Sequence, residues 1–204
     1  MERANHQTLS RLETSGPALA TDDWSLGDAA LELVLAELEA GRRTMVECGS
    51  GRSTVIGARL LAELGDRTIH SLEHDPAWAA RTRELLAAER LGEWATVIEA
   101  PLAPHPLAGA GGWYEREALG ALPDAIDLLL VDGPPAGDPG LEHSRHPALA
   151  ELRSRLAPGT TILLDDALRA GEAATLERWA ADFELEFELH RESETARAQW
   201  PLYC

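Results

Sequence analysis

The chain has 204 residues, enough for one domain with a real core, and a formal net charge of −17 at pH 7. All 18 basic residues are arginine, and so acidic a surface repels phosphate backbones, which argues against a nucleic-acid partner. No apolar run approaches the ~20 residues of a membrane span, and the opening MERANHQTLSRLETSG lacks the apolar stretch of a secretory signal, so a cytoplasmic location is expected.

Residues 1–24 read as a polar amino-terminal arm, helical up to the Gly16-Pro17 turn, ahead of a single domain over 25–204. Ser25-Leu26-Gly27-Asp28 has capping-box spacing. The apolar periodicity of Ala30, Leu31, Val34, Leu35 and Leu38 then predicts a helix that Gly41 ends. TMVEC (44–48) predicts a strand that runs through Gly49-Ser50-Gly51 into a helix over 53–64. TIHSLE (68–73) is a second strand. Asp75-Pro76 supplies an N-cap and a first-turn proline for a helix through Arg90, closed by Gly92. ATVIEA (95–100) is a third strand, followed by a Pro/Gly/Ala-rich loop to Gly112 and a short helix near 113–119.

IDLLLVD (126–132) is almost wholly apolar, as a central parallel strand buried on both faces requires. A helix over 144–156 leads to the strand TTILLDD (160–166), and a further helix spans 171–182. FELEFELH (183–190) and ARAQWPLYC (196–204) alternate and lie close enough to pair as a hairpin. This βα alternation predicts an α/β fold, a doubly wound and mostly parallel sheet with helices on both faces. Ligands of such sheets lie beyond the carboxyl ends of the strands. Those ends carry Glu47, Glu73, Asp132 and the pair Asp165-Asp166, with two glycines after the first. Cys48 and Cys204 have no metal-ligand spacing, and Cys48 reads as a small buried residue.

The glycine turn narrows the ligand. Gly49-Ser50-Gly51-Arg52-Ser53-Thr54 lacks the third glycine of a dinucleotide fingerprint, and the chain has no lysine for a Walker motif. Glu47, just before the glycines, would repel a pyrophosphate but suits a cationic group. Glu73, ending the second strand, can accept both hydroxyls of a ribose. A ligand with a ribose, a positive charge and no phosphate is S-adenosylmethionine.

VECGSGRST, SLEHDPAW, IEAPL, LLLVDGPP and ILLDD follow one another at normal motif spacing. Over most of 26–204 the sequence thereby resembles class I S-adenosylmethionine-dependent methyltransferases, and among them the compact catechol-type O-methyltransferases and small bacterial relatives. The resemblance implies a Rossmann-like, seven-stranded sheet of order 3-2-1-4-5-7-6 with its last strand antiparallel. It implies cofactor contacts from Glu47, Gly49, Gly51, Ser53, Glu73, His74, Ala100 and Asp132. Gly49 and Gly51 would line the methionine moiety, Glu73 the ribose, His74 the adenosine and Ala100 the adenine. In metal-dependent members, carboxylates ending strands four and five hold a divalent cation. The matching positions are Asp132, Asp165 and Asp166, an all-oxygen set suited to Mg²⁺, Ca²⁺ or Mn²⁺. Gly133-Pro134-Pro135 stand where those members carry an aromatic residue, and their lysine base is absent.

Asp132 is the candidate catalytic base, its alternative role being to cap a loop. Arg145 and Arg169 are candidates to meet an acidic group on the acceptor, or else to form salt bridges with Glu142 and Glu172. Trp113 and Tyr114 read either as a lid over the acceptor or as the buried aromatic face of a helix. Trp24 could also close over the site, whereas Trp78, Trp94 and Trp179 read as packing residues. The expected activity is methyl transfer from S-adenosylmethionine to a small-molecule acceptor, most of all an oxygen. Another S-adenosyl-ligand transferase, such as an aminopropyltransferase, and a non-catalytic binding protein of the same fold stand as alternatives. A homodimer stays open.

Overall fold

A computed structural model describes residues 2–22 and 24–202. Two helices, α1 (Glu2–Thr14) and α2 (Asp28–Glu39), precede β1 (Thr44–Cys48), α3 (Arg52–Leu64), β2 (Thr68–Glu73), α4 (Pro76–Ala88) and β3 (Ala95–Glu99). A two-residue ribbon follows, made of β4 (Leu102–Ala103) and β5 (Trp113–Tyr114). Next come α5 (Arg116–Leu119), β6 (Ile126–Val131), α6 (Pro147–Leu152), β7 (Leu156–Leu164), α7 (Ala170–Phe183), β8 (Glu188–His190) and β9 (Thr195–Gln199). Among the described residues no helix is long and apolar enough to cross a membrane.

Seven strands form one sheet in the order β3-β2-β1-β6-β7-β9-β8. Leaving the ribbon aside, this is the expected 3-2-1-4-5-7-6, with β9 antiparallel to β7. Side chains alternate along the central strands and so feed two cores. Met45, Leu128, Leu130 and Leu163 pack with α1 to α4. Val46, Cys48, Leu129, Val131, Ile162 and Leu164 pack on the other face with α6, α7 and the ribbon. Burying both faces explains why β6 and β7 read as unbroken apolar runs rather than alternating ones.

The amino-terminal segment is docked on the first core. Leu9 and Leu12 of α1 are buried there. Arg59 of α3 donates to the carbonyls of Leu12 at 2.9 Å and Pro17 at 2.8 Å, and pairs with Glu89 at 2.7 Å. Arg52, the first residue of α3, pairs with Glu13 and Asp28 and donates to the carbonyl of Leu26.

Several boundaries differ from the sequence expectation. The capping box does not form, because the Ser25 hydroxyl bonds Asp22 at 2.9 Å and Gly27 becomes the cap residue of α2 without a side-chain bond. Residues 113–114 are a strand rather than a helix, and only Arg116–Leu119 coil. The 144–156 helix shortens to α6 plus a 3-10 turn at Arg153–Arg155. The chain stays helical through Phe183, so the expected strand 183–190 keeps only Glu188–His190. The end of the expected strand 196–204, with Cys204, lies outside the described residues.

Candidate active site at the carboxyl edge of the sheet

The turn after β1 depends on its glycines. Gly49 and Gly51 have φ of 98° and 149°, backbone that a side chain strains to adopt. At Gly51 a Cβ would also come within 3.2 Å of the Trp78 indole nitrogen. Neighbouring elements pin the turn. The Ser50 N–H and hydroxyl donate to Glu73 Oε2 at 3.0 and 2.9 Å, and the Trp78 indole N–H donates to the Ser50 carbonyl at 2.6 Å. Glu73 Oε1 accepts from the Asp75 N–H at 2.9 Å and lies 3.1 Å from His74 Nδ1. Burial alone would raise the Glu73 pKa, but His74, the Asp75 N–H and Ser50 together hold it below the usual carboxylate range. Glu73 is therefore an ionised acceptor ending β2.

Glu47 is placed differently from a cofactor-facing carboxylate. It is 1% exposed, and its two oxygens accept from the hydroxyls of Ser53, Thr54 and Ser71. Burial pushes its carboxyl up despite those three donors. Glu47 and Ser53 thus bond to each other and brace the start of α3, so the expected contact with a ligand cation meets a carboxylate already engaged. Ala100 is fully buried, with its N–H on the Glu73 carbonyl at 2.7 Å. Cys48 is fully buried as expected, and burial carries its thiol far above the ordinary range.

The ends of β6 and β7 bring Asp132, Asp165 and Asp166 together, with one oxygen from each within 4.8 Å of the others. Into this acidic group runs Arg145, from the loop before α6, with its side chain 5% exposed. Its guanidinium lies 3.0 Å from Asp166, 3.6 Å from Asp132 and 3.5 Å from Glu172. It also donates to the carbonyls of Pro134 at 3.2 Å and Asp165 at 3.1 Å. Asp166, in left-handed backbone with φ 59°, accepts a second guanidinium from Arg169 at 2.6 Å. Burial raises Asp132 to about 6, with Arg145 opposing it. Burial and the neighbouring aspartates raise Asp165 to about 8. With their oxygens this close, the protonation of one carboxyl depends on that of the other.

The all-oxygen donor set suits a hard divalent ion, but its surroundings do not. Arg145 cannot give up its proton, and it already stands among the same oxygens. A metal would put two further positive charges beside a buried guanidinium and would have to take Asp166 from two arginines. As they stand, these carboxylates fit an arginine and shared protons rather than a metal. Arg145 is correspondingly not free to meet an acceptor. Of the two expected acidic partners, Glu172 lies 3.5 Å from Arg145, while Glu142 accepts from the Gly140 N–H at 2.9 Å and Arg169 pairs with Asp166 instead. Arg169 is half-exposed at the rim.

Trp113 and Tyr114 are 1% and 2% exposed, an inner wall rather than a lid that projects into solvent. Trp24 is 68% exposed, outside both cores. Trp78 fulfils more than packing, since its indole holds the glycine turn. No periodic signal in α4 marks it, because the bond depends on where α4 lies against β1. Glu172 was legible only as a salt-bridge partner for Arg145 or Arg169, and it lies buried with no hydrogen-bond donor on either oxygen.

Residues 46–167 match a family described as a methyltransferase domain. No curated protein matches the chain. Among solved structures, an O-methyltransferase from Bacillus cereus in complex with SAH is 16% identical, with a TM-score of 0.58 over 97% of this chain and 90% of that one. An SAH-bound methyltransferase from Podospora anserina is 16% identical, with a TM-score of 0.63 over 97% and 87%. The N-terminal domain of human METTL16 in complex with SAH is 14% identical, with a TM-score of 0.60 over 100% and 83%. At these identities the likeness is one of fold.

Proposed function

The chain belongs to the methyltransferase-domain family, and from that membership we propose that it transfers a methyl group from S-adenosylmethionine to an oxygen of a small-molecule acceptor. One observation carries the reading. A glycine turn, an ionised Glu73 and an Asp132 poised to gain or lose a proton end the adjacent strands β1, β2 and β6 on one edge. The presence of SAH in the solved relatives supports the cofactor, and the Bacillus cereus O-methyltransferase supports oxygen as the target. A net charge of −17 favours a small acceptor over RNA.

When bound, S-adenosylmethionine supplies a methyl carbon that bonds to the incoming oxygen as its bond to sulfur breaks, the electron pair staying on sulfur. The protein's task is alignment and proton removal. Glu73 receives the ribose hydroxyls on oxygens that Ser50 and Asp75 now share, with His74 beside it. Gly49 and Gly51 let main chain approach the amino-acid portion closely, and Ala100 borders the base. Holding both reactants in line can contribute about 7–11 kcal/mol. Asp132 takes the acceptor's hydroxyl proton, and the pair it forms with Asp165 keeps it. Arg169, half-exposed at the rim although paired with Asp166 at 2.6 Å, is the cation offered to an acidic acceptor.

The test is calorimetry with S-adenosylhomocysteine, then incubation of the protein with methyl-labelled S-adenosylmethionine and a metabolite mixture in chelating buffer. Affinity for the homocysteine product and a product labelled on oxygen are expected. No affinity would defeat the cofactor assignment, and label on nitrogen or carbon would defeat the oxygen assignment. Activity lost in chelator and restored by Mg²⁺ would return Asp132, Asp165 and Asp166 to the role of metal ligands.

A further inference from the structure

Tyr114 is 2% exposed, and its buried hydroxyl makes no hydrogen bond to any described residue. Its position is built rather than accidental. In the ribbon, Leu102 pairs with Tyr114 and Ala103 with Trp113. Gly112, at φ 72°, allows the strands to close, since a Cβ there would lie 2.6 Å from the Ala103 carbonyl. The Glu115 N–H ties the far end to the Pro101 carbonyl at 2.9 Å. The Trp113 ring meets the tyrosine edge-on at 4.8 Å and fixes its plane.

The other end of the side chain reaches across the edge of the sheet. A Cβ on Gly133 would lie 2.8 Å from the Tyr114 hydroxyl, 3.1 Å from the Gly49 nitrogen and 3.2 Å from the Cys48 carbonyl. The hydroxyl therefore sits where the glycine turn after β1 faces Gly133 after β6. Burial, with Cys48 and Glu73 nearby, raises its pKa well above the ordinary phenol value, so it is neutral and able to donate. A buried donor with no acceptor opposes folding unless something else requires it.

We propose that the Tyr114 hydroxyl donates a hydrogen bond to the amino-acid portion of the bound S-adenosyl ligand, where the glycine turn after β1 faces Gly133, an inference that rests on the cofactor reading above. Closeness to the glycine turn favours the cofactor over the acceptor. The tyrosine is then a wall of the cofactor site rather than a lid over the substrate.

Tyr114→Phe keeps the ring and its packing and removes only the oxygen, so it separates binding from structure. Two readouts on the unliganded and liganded protein are needed. The expected result is a Kd for S-adenosylhomocysteine raised about 3- to 10-fold, the loss of one net hydrogen bond, with a Tm of the unliganded protein equal to or above that of the wild type. Unchanged affinity overturns the proposal. If unchanged affinity comes with a lower unliganded Tm, the hydroxyl is structural. If it comes with a raised KM for the acceptor, the contact is to the acceptor. A wild-type protein without affinity for S-adenosylhomocysteine would sink the cofactor reading and this inference together, whereas binding by both proteins alike sinks only the latter.

Discussion

A carboxyl set close beside other carboxyls must either keep a proton or find a cation, and Asp132 does some of each. Burial lifts its pKa to about 6, while Arg145, 3.6 Å away, limits the rise. A general base has to be ionised before it can accept, so protonation at lower pH should switch it off. We expect kcat/KM to fall about tenfold per pH unit below about 6 and to level off above it. A rate flat from weakly acidic to weakly basic pH would remove Asp132 as the base. Asp132→Asn should lower turnover by roughly 10²- to 10⁴-fold while leaving S-adenosylhomocysteine affinity close to that of the wild type, because its amide still fills the space. Loss of affinity and turnover together would assign the residue to cofactor binding instead.

Between elements, several joints are arginines that few sequence signals reveal. Arg59 and Glu89 have side chains 4% and 11% exposed, and their pair joins α3 to the end of α4 while the same guanidinium holds the carbonyls after α1. Removing one partner leaves a buried charge that cannot lose its proton, so Glu89→Ala should cost about 3–5 kcal/mol in urea unfolding. A cost within ~1 kcal/mol would show that the pair behaves as if solvent-exposed. The same contrast explains what could be read in advance. Leu128, Leu129 and Leu130 announce β6 because a strand buried on both faces needs apolar residues throughout, and the sheet order follows from βα alternation. Tyr114 does not announce its strand, since two residues carry no periodicity and the partner Leu102 lies across a glycine-rich loop. Ser25 misleads because Asp22 takes its hydroxyl first. At the edge of the sheet, the carboxylates and glycines were legible as residue types. Their engagement was not, because the three hydroxyls around Glu47 and the acids around Arg145 meet only after distant segments have packed.

Across the whole molecule, 35 acidic residues face 18 arginines, and three of those arginines, Arg52, Arg59 and Arg145, are buried in internal pairs. Three buried carboxylates, Glu47, Glu73 and Glu172, match them in number, so the surface keeps the full excess of negative charge, and folding holds it close together. Salt should act on this in two opposing ways. It screens exposed ion pairs, such as Arg178 with Asp182, which contribute at most about 1 kcal/mol each. It also screens the repulsion among those uncompensated carboxylates that lie farther apart than the Debye length, which is about 10 Å at ~0.1 M salt. Repulsion has the more numerous terms, and the buried pairs are little affected, so Tm should rise as monovalent salt goes from low millimolar to about 0.3 M. The same field should keep RNA from competing with a small acceptor, with turnover unchanged by added single-stranded RNA near physiological ionic strength. Thermal scans across a salt series at fixed pH decide the first point: a falling Tm would mean that surface ion pairs outweigh the repulsion. Inhibition by RNA that salt relieves would reveal a local basic groove and reopen a nucleic-acid acceptor.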